Sequence, residues 1–398
     1  MSRDAYIFDT VRTPRGKGRE GGGLSEVTPI ALLEGLYDAL AERQNFPLER
    51  VDDVLLGCVT QTDEQGADLA RISVLYADWP VSVSGMTLNR FCASGLDAVN
   101  LGAAKVATGM EDLVVAGGVE SISRVPMFSD EGPWFADPEV ARKTRFVQMG
   151  FAADVVASRA GLDRDTLDAY AVESHQRAAR AFEKGRFDQT LVAVTDGDGQ
   201  VVLDRDELIR PETSVEKIAD FAPAFADQTS EAFAAEVYPD LELEHVHHRA
   251  NSPSLADGAA LSLVGNETCV EELGLKPRAR IRSWANASME PVAMLTACET
   301  AAERALQNAG MTAADIDLWE VNEAFAAVPV KLQRDFDIDP DRFNVNGGTI
   351  AMGHAMGATG TMLLANLVDE LKRRDLQTGL VTISGGAGLG SAAVVELG

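Results

Sequence analysis

Two stretches of this chain, one in each half, carry the same order of features, and this repetition restricts the fold more than anything else in the sequence. In the first, Asn89 precedes a helical pattern and then the apolar run 112–120, which contains a Gly-Gly pair. In the second, Asn346 precedes a helical pattern of similar length and then the apolar run 379–387, which also contains Gly-Gly. The match is loose, but its presence in both halves favours duplication over coincidence. It predicts two related α/β lobes.

The order of strand-like and helical patterns predicts where each lobe lies. The first part of the chain alternates the two patterns, with strands expected near 5–11, 53–60 and 81–88, which is typical of an α/β lobe. From Ser121 to about His248 the composition becomes polar, charged and proline-containing, so we expect an insertion there. We therefore predict three domains: an N-terminal lobe of residues 1–120 plus about 249–271, an inserted loop domain of residues 121–248, and a C-terminal lobe of residues 272–398.

Charge and hydropathy exclude several classes of function. The 62 acidic residues outnumber the 35 basic ones, for a net charge of −27, so nucleic acid is not an expected partner. No apolar run is long enough to span a bilayer and no signal peptide precedes the first strand, so we expect a cytoplasmic protein without membrane insertion. The 4 cysteines are scattered without a C-x-x-C pair, which argues against a disulfide framework or a zinc site.

One of these cysteines, Cys92, lies where a strand-like run gives way to a helical one that Gly109 can cap. A thiol in the first turn of a helix faces unpaired backbone N–H groups and the positive end of the helix dipole. Both favour the thiolate, which is the nucleophilic form, so Cys92 is a candidate nucleophile. The alternative is a small buried hydrophobic residue, which is what most free cysteines are.

The histidines differ in their surroundings. His175 lies on a polar helix, and His245, His247 and His248 lie at the end of the insertion, where a solvated or structural role is expected. That group of three lacks an acidic or cysteine partner at ligand spacing, so we expect no metal site. His354 lies among glycines, between a strand and a helix, where a ligand can approach closely.

Three loops of the second lobe follow apolar strands and carry polar groups. Asn322 and Glu323 come after one strand, His354 lies in the next loop, and Ser384 begins a glycine-rich loop. Ligands of α/β sheets collect at the carboxyl ends of strands, so we expect these loops to share a crevice with Cys92. There a neutral imidazole can take the cysteine proton, and an amide or glycine N–H groups can donate to an oxyanion.

A basic, glycine-rich loop at residues 10–19 is unusual in so acidic a chain. Its Gly and Pro content is typical of a solvated turn. The alternative is a local basic patch, which an acidic protein needs if it binds an anionic cofactor.

Several long motifs, in order, resemble the thiolase family (acetyl-CoA acetyltransferase and 3-ketoacyl-CoA thiolase). They are Val11-Arg-Thr-Pro-Arg-Gly-Lys17, Asn89-Arg-Phe-Cys-Ala-Ser-Gly95, Ala116-Gly-Gly-Val-Glu-Ser-Ile-Ser-Arg124, Asn322-Glu-Ala-Phe-Ala326 and Gly347-Gly-Thr-Ile-Ala-Met-Gly-His354. The resemblance covers nearly the whole chain. It implies two duplicated α/β lobes in a layered αβαβα arrangement with an inserted loop domain that covers coenzyme A.

The resemblance also implies roles for particular residues. Cys92 matches the nucleophile that becomes the acyl-enzyme, and His354 matches the base that activates it and helps to bind the thioester oxygen. Asn322 matches the residue that holds an ordered water beside that histidine. The backbone N–H groups of Cys92 and Gly386 would form an oxyanion hole. Two further residues, Met149 and Phe325, match the substrate pocket.

The implied activity is acyl transfer between acyl-CoA or 3-ketoacyl-CoA and CoA, by thiolysis or Claisen condensation, in fatty acid and lipid metabolism. CoA and acyl-CoA would be substrates, with no permanently bound cofactor. A homodimer or homotetramer is expected, and the resemblance allows association with other β-oxidation enzymes. The sequence leaves acyl chain length and metabolic direction open.

This chain departs from the family pattern at Ser384, where thiolases usually place a second cysteine that shuttles a proton. A serine hydroxyl is a poorer general base than a thiol of pKa about 8.5, so the second half-reaction is expected to be slowed. Other departures are Gln148, Pro253 and Ala355. One alternative is therefore a thiolase-like protein that binds acyl-CoA with little or no turnover. Another is a β-ketoacyl synthase, although the Asn322-Glu-Ala-Phe motif favours thiolase.

Overall fold

The computed structural model describes residues 4–397, so residues 1–3 and 398 of the predicted lobes lie outside it. The strands are β1 (Tyr6–Arg12), β2 (Gly16–Lys17), β3 (Asp53–Gly57), β4 (Ser84–Leu88), β5 (Leu113–Glu120), β6 (Val194–Thr195), β7 (Val201–Leu203), β8 (Ala256–Gly265), β9 (Ala279–Ser288), β10 (Leu318–Val321), β11 (Thr378–Gly385) and β12 (Leu389–Glu396). The α-helices are α1 (Pro29–Gln44), α2 (Leu69–Tyr76), α3 (Ser94–Thr108), α4 (Pro133–Ala136), α5 (Pro138–Lys143), α6 (Met149–Ala160), α7 (Arg164–Glu183), α8 (Val215–Ile218), α9 (Gln228–Val237), α10 (Glu267–Leu273), α11 (Ala297–Ala309), α12 (Ala327–Asp335), α13 (Thr349–Met352) and α14 (Met356–Arg374). Short 3₁₀ helices lie at Leu48–Arg50, Asp63–Gln65, Pro291–Thr296, Ala313–Asp315, Pro340–Arg342 and Gly386–Gly388.

One 10-stranded sheet runs through both halves of the molecule, in the order β10-β11-β12-β9-β1-β8-β5-β3-β4, with β2 paired to β8. The two halves of the sheet join where β1 pairs with β9, at Tyr6 with Arg280 and Ile7 with Ala279. The N-terminal half contains β1, β3, β4, β5 and β8, and the C-terminal half contains β9 to β12. Residues 121–248 contribute no strand to this sheet and form only the small β6-β7 ribbon.

The two halves repeat one pairing pattern. In the N-terminal half β5 pairs in parallel with β3 and antiparallel with β8, which in turn is antiparallel to β1. In the C-terminal half β11 pairs in parallel with β10 and antiparallel with β12, which in turn is antiparallel to β9. The duplication expected from the sequence is therefore confirmed by the strand pairing.

The helices form layers around the two half-sheets. Helices α1 and α2 cover the outer face of the N-terminal half, and α11 covers the outer face of the C-terminal half. Helices α3 and α14 pack against each other and against strands of both half-sheets, so they form the middle layer. This arrangement confirms the α/β class and the layered αβαβα order predicted from the sequence.

Local sequence explains the elements that carry the site. Strand β5 is buried along its whole length, as expected for an apolar strand between two neighbours. Helix α3 ends at Gly109, whose φ of 74° is left-handed and accounts for the predicted C-cap. Strand β4 is shorter than predicted, because the segment before Ser84 forms a turn.

The basic loop at residues 10–19 is not a solvated turn throughout. The Arg12 guanidinium is fully buried and bonds Asp206 through two N–H···O contacts of 2.9 and 3.0 Å. Arg15 is also fully buried, and its Nη1 lies 3.5 Å from the same carboxylate. Burial alone would raise the pKa of Asp206, but the two arginine charges outweigh burial and lower it. These two arginines are therefore an internal ion-pair cluster and not a surface basic patch.

Within residues 4–397, no helix is both long and apolar enough to cross a membrane.

Candidate active site

Cys92 lies on a tight turn between β4 and α3, two residues before the helix begins at Ser94. The turn needs a left-handed Phe91, with a φ of 49°, which is uncommon for a bulky residue. Three hydrogen bonds hold it: Phe91 N–H donates to Asn89 Oδ1 (2.8 Å), Arg90 N–H donates to Ser94 Oγ (2.8 Å), and Ser94 N–H donates to the Phe91 carbonyl (2.9 Å). A strained turn held in this way is typical of a functional position.

The Cys92 thiol is buried, and this changes its ionisation. Burial raises its pKa to about 12, and the charge of the Glu120 carboxylate adds to the rise. The expectation that the helix start favours the thiolate is wrong for the resting protein, because desolvation of the charged form outweighs the helix N–H groups. The thiol therefore needs a base to take its proton as it reacts.

His354 lies between α13 and α14, and its ring has the features that such a base requires. Its Nδ1 is 2.8 Å from Thr359 Oγ1, and its Nε2 is buried with no hydrogen-bond partner in the described part of the chain. A proton on Nδ1 satisfies Thr359 and leaves the Nε2 lone pair free. Burial, together with the charge of Arg15, lowers the pKa of the imidazole to about 4. His354 is therefore neutral near neutral pH and can accept a proton.

Asn322 follows β10 and lies outside the cavity lining. Its backbone N–H donates to the Thr382 carbonyl (3.0 Å), and its Oδ1 accepts from the Thr349 hydroxyl (3.0 Å), at the start of α13. Its Nδ2 is buried and has no partner among residues 4–397. An unsatisfied buried amide next to a catalytic loop needs an explanation, and a bound water is one.

The last predicted residues lie at the end of β11 and directly after it. Ser384 is still part of the strand, paired with Gly390, and does not begin a loop as predicted, whereas Gly386 begins the short 3₁₀ helix that follows. The Ser384 hydroxyl is buried and makes no hydrogen bond within the described residues. Gly386 lies against the Phe91 ring, where an added Cβ would come within 3.3 Å of a ring carbon. A side chain at this position would push against the turn that carries Cys92.

One apolar cavity of about 250 Å³ brings most of the predicted residues together. Its lining includes the predicted residues Cys92, Met149, Phe325, His354, Ser384 and Gly386. Of these, only Cys92 and His354 carry titratable side chains of the kinds that general acid–base chemistry uses. The cavity lies where loops of the N-terminal half, the C-terminal half and residues 121–248 meet.

Sequence reasoning missed an aromatic wall on this cavity. The Phe91 ring stacks on Trp134 with centroids 5.4 Å apart and an 8° interplanar angle, and Trp134 stacks on Phe146 at 4.7 Å. All three residues line the cavity. Aromatic residues make up only 6% of the chain, so their clustering in the polar segment around Trp134 was the available signal.

A second cavity, of about 50 Å³, shares Ser252 with the first. Its lining includes Arg210, Arg249 and His175. The Arg249 guanidinium lies over the Phe221 ring, 4.4 Å from its centroid. This cationic surface beside the apolar cavity suits an anionic group, because guanidinium groups match phosphate geometry.

The remaining histidines have structural partners. Asp154 lies 2.7 Å from His247 Nδ1 and 2.8 Å from His245 Nδ1, and Asp168 lies 2.8 Å from His248 Nε2. These carboxylates are distant in sequence, which is why ligand spacing did not reveal them. Among the described residues, no group of three or more His, Cys, Asp or Glu is placed to hold a metal ion.

Comparison with known families gives two matches that together cover most of the chain. The family model described as "Thiolase, N-terminal domain" matches residues 5–237, and the one described as "Thiolase, C-terminal domain" matches residues 275–397.

Individual proteins are similar over the full length. The 3-ketoacyl-CoA thiolase of Bacillus subtilis (strain 168) is 36% identical over 408 residues, which cover 99% of this chain and 100% of that protein. The 3-ketoacyl-CoA thiolase of Cronobacter sakazakii is 38% identical over 400 residues, 98% of each chain. The crystal structure of the Bacillus anthracis acetyl-CoA acetyltransferase superposes with a TM-score of 0.87 at 30% identity, covering 100% of this chain and 99% of that one.

Proposed function

This chain belongs to the thiolase family of acyltransferases, and from that premise we propose that it moves acyl groups between 3-ketoacyl-CoA and CoA through an acyl-enzyme on Cys92. The observation that carries this proposal is that a buried thiol and an unpartnered imidazole nitrogen line the same apolar cavity of the described chain. Thiolysis and Claisen condensation use the same acyl-enzyme in opposite directions.

In the first half-reaction, Cys92 Sγ attacks the C3 carbonyl carbon of the 3-ketoacyl-CoA while its proton passes to His354 Nε2. The C2–C3 bond then breaks, the acyl group stays on sulfur as a thioester, and acetyl-CoA leaves as an enolate that takes up a proton. Both Cys92 and His354 start neutral, so charge develops only as the bond forms. The Gly386 and Cys92 backbone N–H groups are our candidates to stabilise the oxyanion.

In the second half-reaction, the thiol of a CoA molecule loses its proton and attacks the thioester, which releases a shortened acyl-CoA and restores Cys92. His354 is the titratable group available on the cavity to take that proton, because Ser384 offers only a hydroxyl. Asn322 would position a water beside His354 through its free amide. We therefore propose that the second half-reaction limits the rate, because Ser384 is a poor proton acceptor.

The position of CoA follows from the two joined cavities. The acyl group and the reacting thioester would occupy the apolar cavity, with Met149 and Phe325 in its wall. The phosphates would lie toward Arg210 and Arg249 in the smaller cavity. Residues 121–248 contribute to both linings, which supports their role as the loop domain that covers CoA. CoA thus acts as a substrate and not as a resident cofactor.

The same cavity supports an apolar acyl group. Its lining is dominated by aromatic and aliphatic side chains, including Phe91, Trp134 and Phe146. Burial of each additional methylene in such a pocket contributes about 0.8 kcal/mol. We expect 3-ketoacyl-CoA substrates longer than acetoacetyl-CoA to bind more tightly until the cavity is filled.

A homodimer is the assembly that the surface supports. Strand β4 is the last strand at its edge of the sheet, and Met86 on it is exposed. The adjacent helix α2 exposes Ile72, Leu75 and Tyr76. An exposed edge strand with apolar neighbours is a template for pairing with a second copy. A tetramer and association with other β-oxidation enzymes are further parts of the proposal, as is a cytoplasmic location, consistent with 4 free, buried cysteines.

Binding of acyl-CoA without turnover is not favoured, because the full-length similarity is to proteins named as thiolases. A β-ketoacyl synthase is not favoured either, for the same reason.

The test is mass spectrometry after incubation with acetyl-CoA. We expect an acetyl adduct on the peptide that contains Cys92, and consumption of acetoacetyl-CoA when CoA is present. The matched control is Cys298→Ala, which removes another fully buried cysteine that does not line the cavity. That variant should keep the adduct and Cys92→Ala should lose it. An adduct that persists in Cys92→Ala, or no adduct at all, contradicts the proposal.

A further inference from the structure

Glu120, at the end of β5, is a fully buried carboxylate near the proposed site that none of the proposed steps uses. Its Oε2 accepts from the N–H groups of Val59 (3.0 Å) and Gly357 (3.0 Å). Its Oε1 accepts from Thr60 N–H (3.1 Å) and Gln65 Nε2 (3.0 Å). Burial raises the pKa of Glu120, and these four bonds oppose the rise. Every partner is a donor, so the ionised carboxylate satisfies them all, whereas a carboxyl proton would point at an N–H group.

The donors to Glu120 come from both halves of the molecule. Val59 and Thr60 follow β3 in the N-terminal half, whereas Gly357 is the second residue of α14 in the C-terminal half. His354 lies two residues before α14, so the bond from Gly357 N–H holds the helix end next to that histidine.

Close backbone packing makes this bond a determinant of site geometry. A Cβ built on Gly95, in the first turn of α3, would lie 2.5 Å from the Gly357 carbonyl oxygen, and one on Gly118 would also overlap that oxygen. A Cβ on Gly357 itself would lie 2.8 Å from Glu120 Oε2. The start of α14 therefore presses directly on the start of α3, which follows Cys92. No side chain separates the two helix ends, so a shift of one is passed to the other.

Two thiols interact electrostatically with the Glu120 carboxylate. One is Cys92, and the other is Cys58, which follows β3 and lies directly before Val59. Burial raises the pKa of the Cys58 thiol well above its usual value, and the Glu120 charge adds to the rise. Cys58 therefore stays protonated near neutral pH, as Cys92 does, and it does not line the apolar cavity.

We propose that Glu120 is a positioning residue that holds the start of α14, and with it His354, in register with Cys92. The proposal takes the roles of Cys92 and His354 from the proposed function. Burial and, to a smaller extent, the Glu120 charge raise the pKa of the Cys92 thiol, so loss of that charge should also change the titration of the thiol.

The experiment measures the pH dependence of Cys92 alkylation by iodoacetamide, followed by mass spectrometry, in the wild type and in Glu120→Gln. The introduced glutamine is nearly isosteric but uncharged, and its NH₂ group faces N–H donors. We expect the apparent pKa of alkylation to fall by about one pH unit. Acetoacetyl-CoA thiolysis should show kcat lowered about tenfold or more, with KM within about threefold, because geometry and not binding is lost.

Two further variants separate charge, position and stability. Glu120→Asp keeps the charge but shortens the reach, so its alkylation profile should stay near the wild type while kcat falls at least about fivefold. Glu299→Gln changes a largely buried carboxylate on α11, which accepts from Lys331 Nζ (2.6 Å), and should leave the alkylation profile unchanged. If Glu120→Gln does not fold, the kcat of Glu120→Asp decides the question.

A kcat for Glu120→Gln equal to the wild type contradicts the proposal. A kcat for Glu120→Asp equal to the wild type overturns the positioning role. Alkylation requires no acyl-CoA, so a shifted profile in a protein that shows no thiolase turnover would count against the proposed function alone.

Discussion

In the N-terminal half, Cys92 lies two residues before helix α3, and in the C-terminal half, His354 lies two residues before helix α14. The residue before each has a left-handed backbone, with a φ of 49° at Phe91 and 98° at Gly353. The duplicated fold thus offers one position twice, at the start of the two helices that form the middle layer. In the proposed mechanism the two copies have opposite roles, because Cys92 loses a proton and His354 gains it.

The electrostatics of the two positions are also opposite. Burial and the negative Glu120 hold the Cys92 thiol protonated, because both raise its pKa, whereas burial and the positive Arg15 lower the pKa of the His354 imidazole and hold it unprotonated. Each half therefore keeps its reactive group neutral at rest. A duplicated scaffold can thus supply both partners of the proposed proton transfer when the nearby charges differ in sign, as Glu120 and Arg15 do.

The largest expected effect comes from removing the thiol. Cys92→Ser keeps the shape of the turn but replaces the thiol by a hydroxyl, which is a far weaker nucleophile at neutral pH. We expect acetoacetyl-CoA thiolysis to fall by on the order of 10⁴-fold or more. A spectrophotometric assay of acetoacetyl-CoA consumption measures this, and thermal unfolding checks that the variant is folded. Activity within about tenfold of the wild type would contradict the assignment of the nucleophile.

Removing the His354 imidazole, in the C-terminal half, should reduce activity less than removing the thiol does, but the loss should still be severe. His354→Ala takes away the base, and we expect kcat to fall by roughly 10²- to 10⁴-fold in the same assay. The control is His248→Ala, because His248 is also buried but bonds Asp168 (2.8 Å) and lines neither cavity. Equal losses in the two variants would indicate a general structural effect.

The variant Ser384→Cys tests whether the C-terminal half lacks a thiol that turnover needs. Ser384→Cys places a thiol of ordinary pKa about 8.5 on the cavity, where it can exchange a proton with the incoming CoA thiol. We expect kcat for thiolysis to rise about tenfold, with little change in the rate of Cys92 acylation measured by mass spectrometry. An unchanged kcat would show that the hydroxyl does not limit turnover.

The left-handed backbone at Phe91 allows the strain of its turn to be measured. Phe91→Ala removes the ring but keeps a Cβ at a left-handed position, whereas Phe91→Gly also removes the strain. We expect Phe91→Gly to have the larger free energy of unfolding in denaturant titration, by about 1 kcal/mol. A Phe91→Ala variant that is equally or more stable would mean that the turn stores no strain.

The smallest expected effect is that of mild acid on the rate. Because the pKa of His354 is about 4 in the folded protein, its imidazole stays neutral down to about pH 5. The value of kcat/KM at about pH 5 should therefore lie within about twofold of that at about pH 7 and fall below about pH 4. A decline centred near pH 6.5, the ordinary pKa of histidine, would show an unperturbed imidazole.

The lowered pKa of His354 also makes the folded protein less stable in mild acid. A histidine of ordinary pKa near 6.5 in the unfolded chain binds a proton before the folded one does, so acid favours unfolding between about pH 6.5 and 4. His354→Ala should lose less stability than the wild type over that interval, measured by denaturant titration at each pH.

Much of this comparison could be predicted from the sequence, because the duplicated halves depend on local patterns. Strand β5 and the Gly109 cap follow from apolar runs and glycine placement, and Cys92 lies between a strand and a helix as predicted. The predicted strand before His354 is wrong, because His354 lies between the helices α13 and α14. Loops at strand ends share a crevice in any α/β fold, so the meeting of the two was expected as well.

What could not be predicted depends on residues far apart in the chain. The Arg12–Asp206 pair joins positions separated by 194 residues, so the basic loop gave no sign that it was internal. The raised pKa of Cys92 reflects burial beneath loops from distant parts of the chain, which no local pattern reports. The partners of Glu120 are mostly backbone N–H groups, which every residue but proline carries, and sequence therefore does not distinguish them.

Strand β1 lies in the middle of the 10-stranded sheet although it is the first strand of the described chain. Its partners are β8 and β9, and Tyr6 pairs with Gly265 and Arg280. During synthesis from the N-terminus, β1 has no partner strand until most of the chain has left the ribosome. Contacts this distant in sequence slow folding and leave strand edges exposed in the meantime. The pairing of β1 with β9, which joins the two halves of the sheet, therefore forms late in synthesis. Until it forms, the nascent chain is open to misfolding and to chaperone binding.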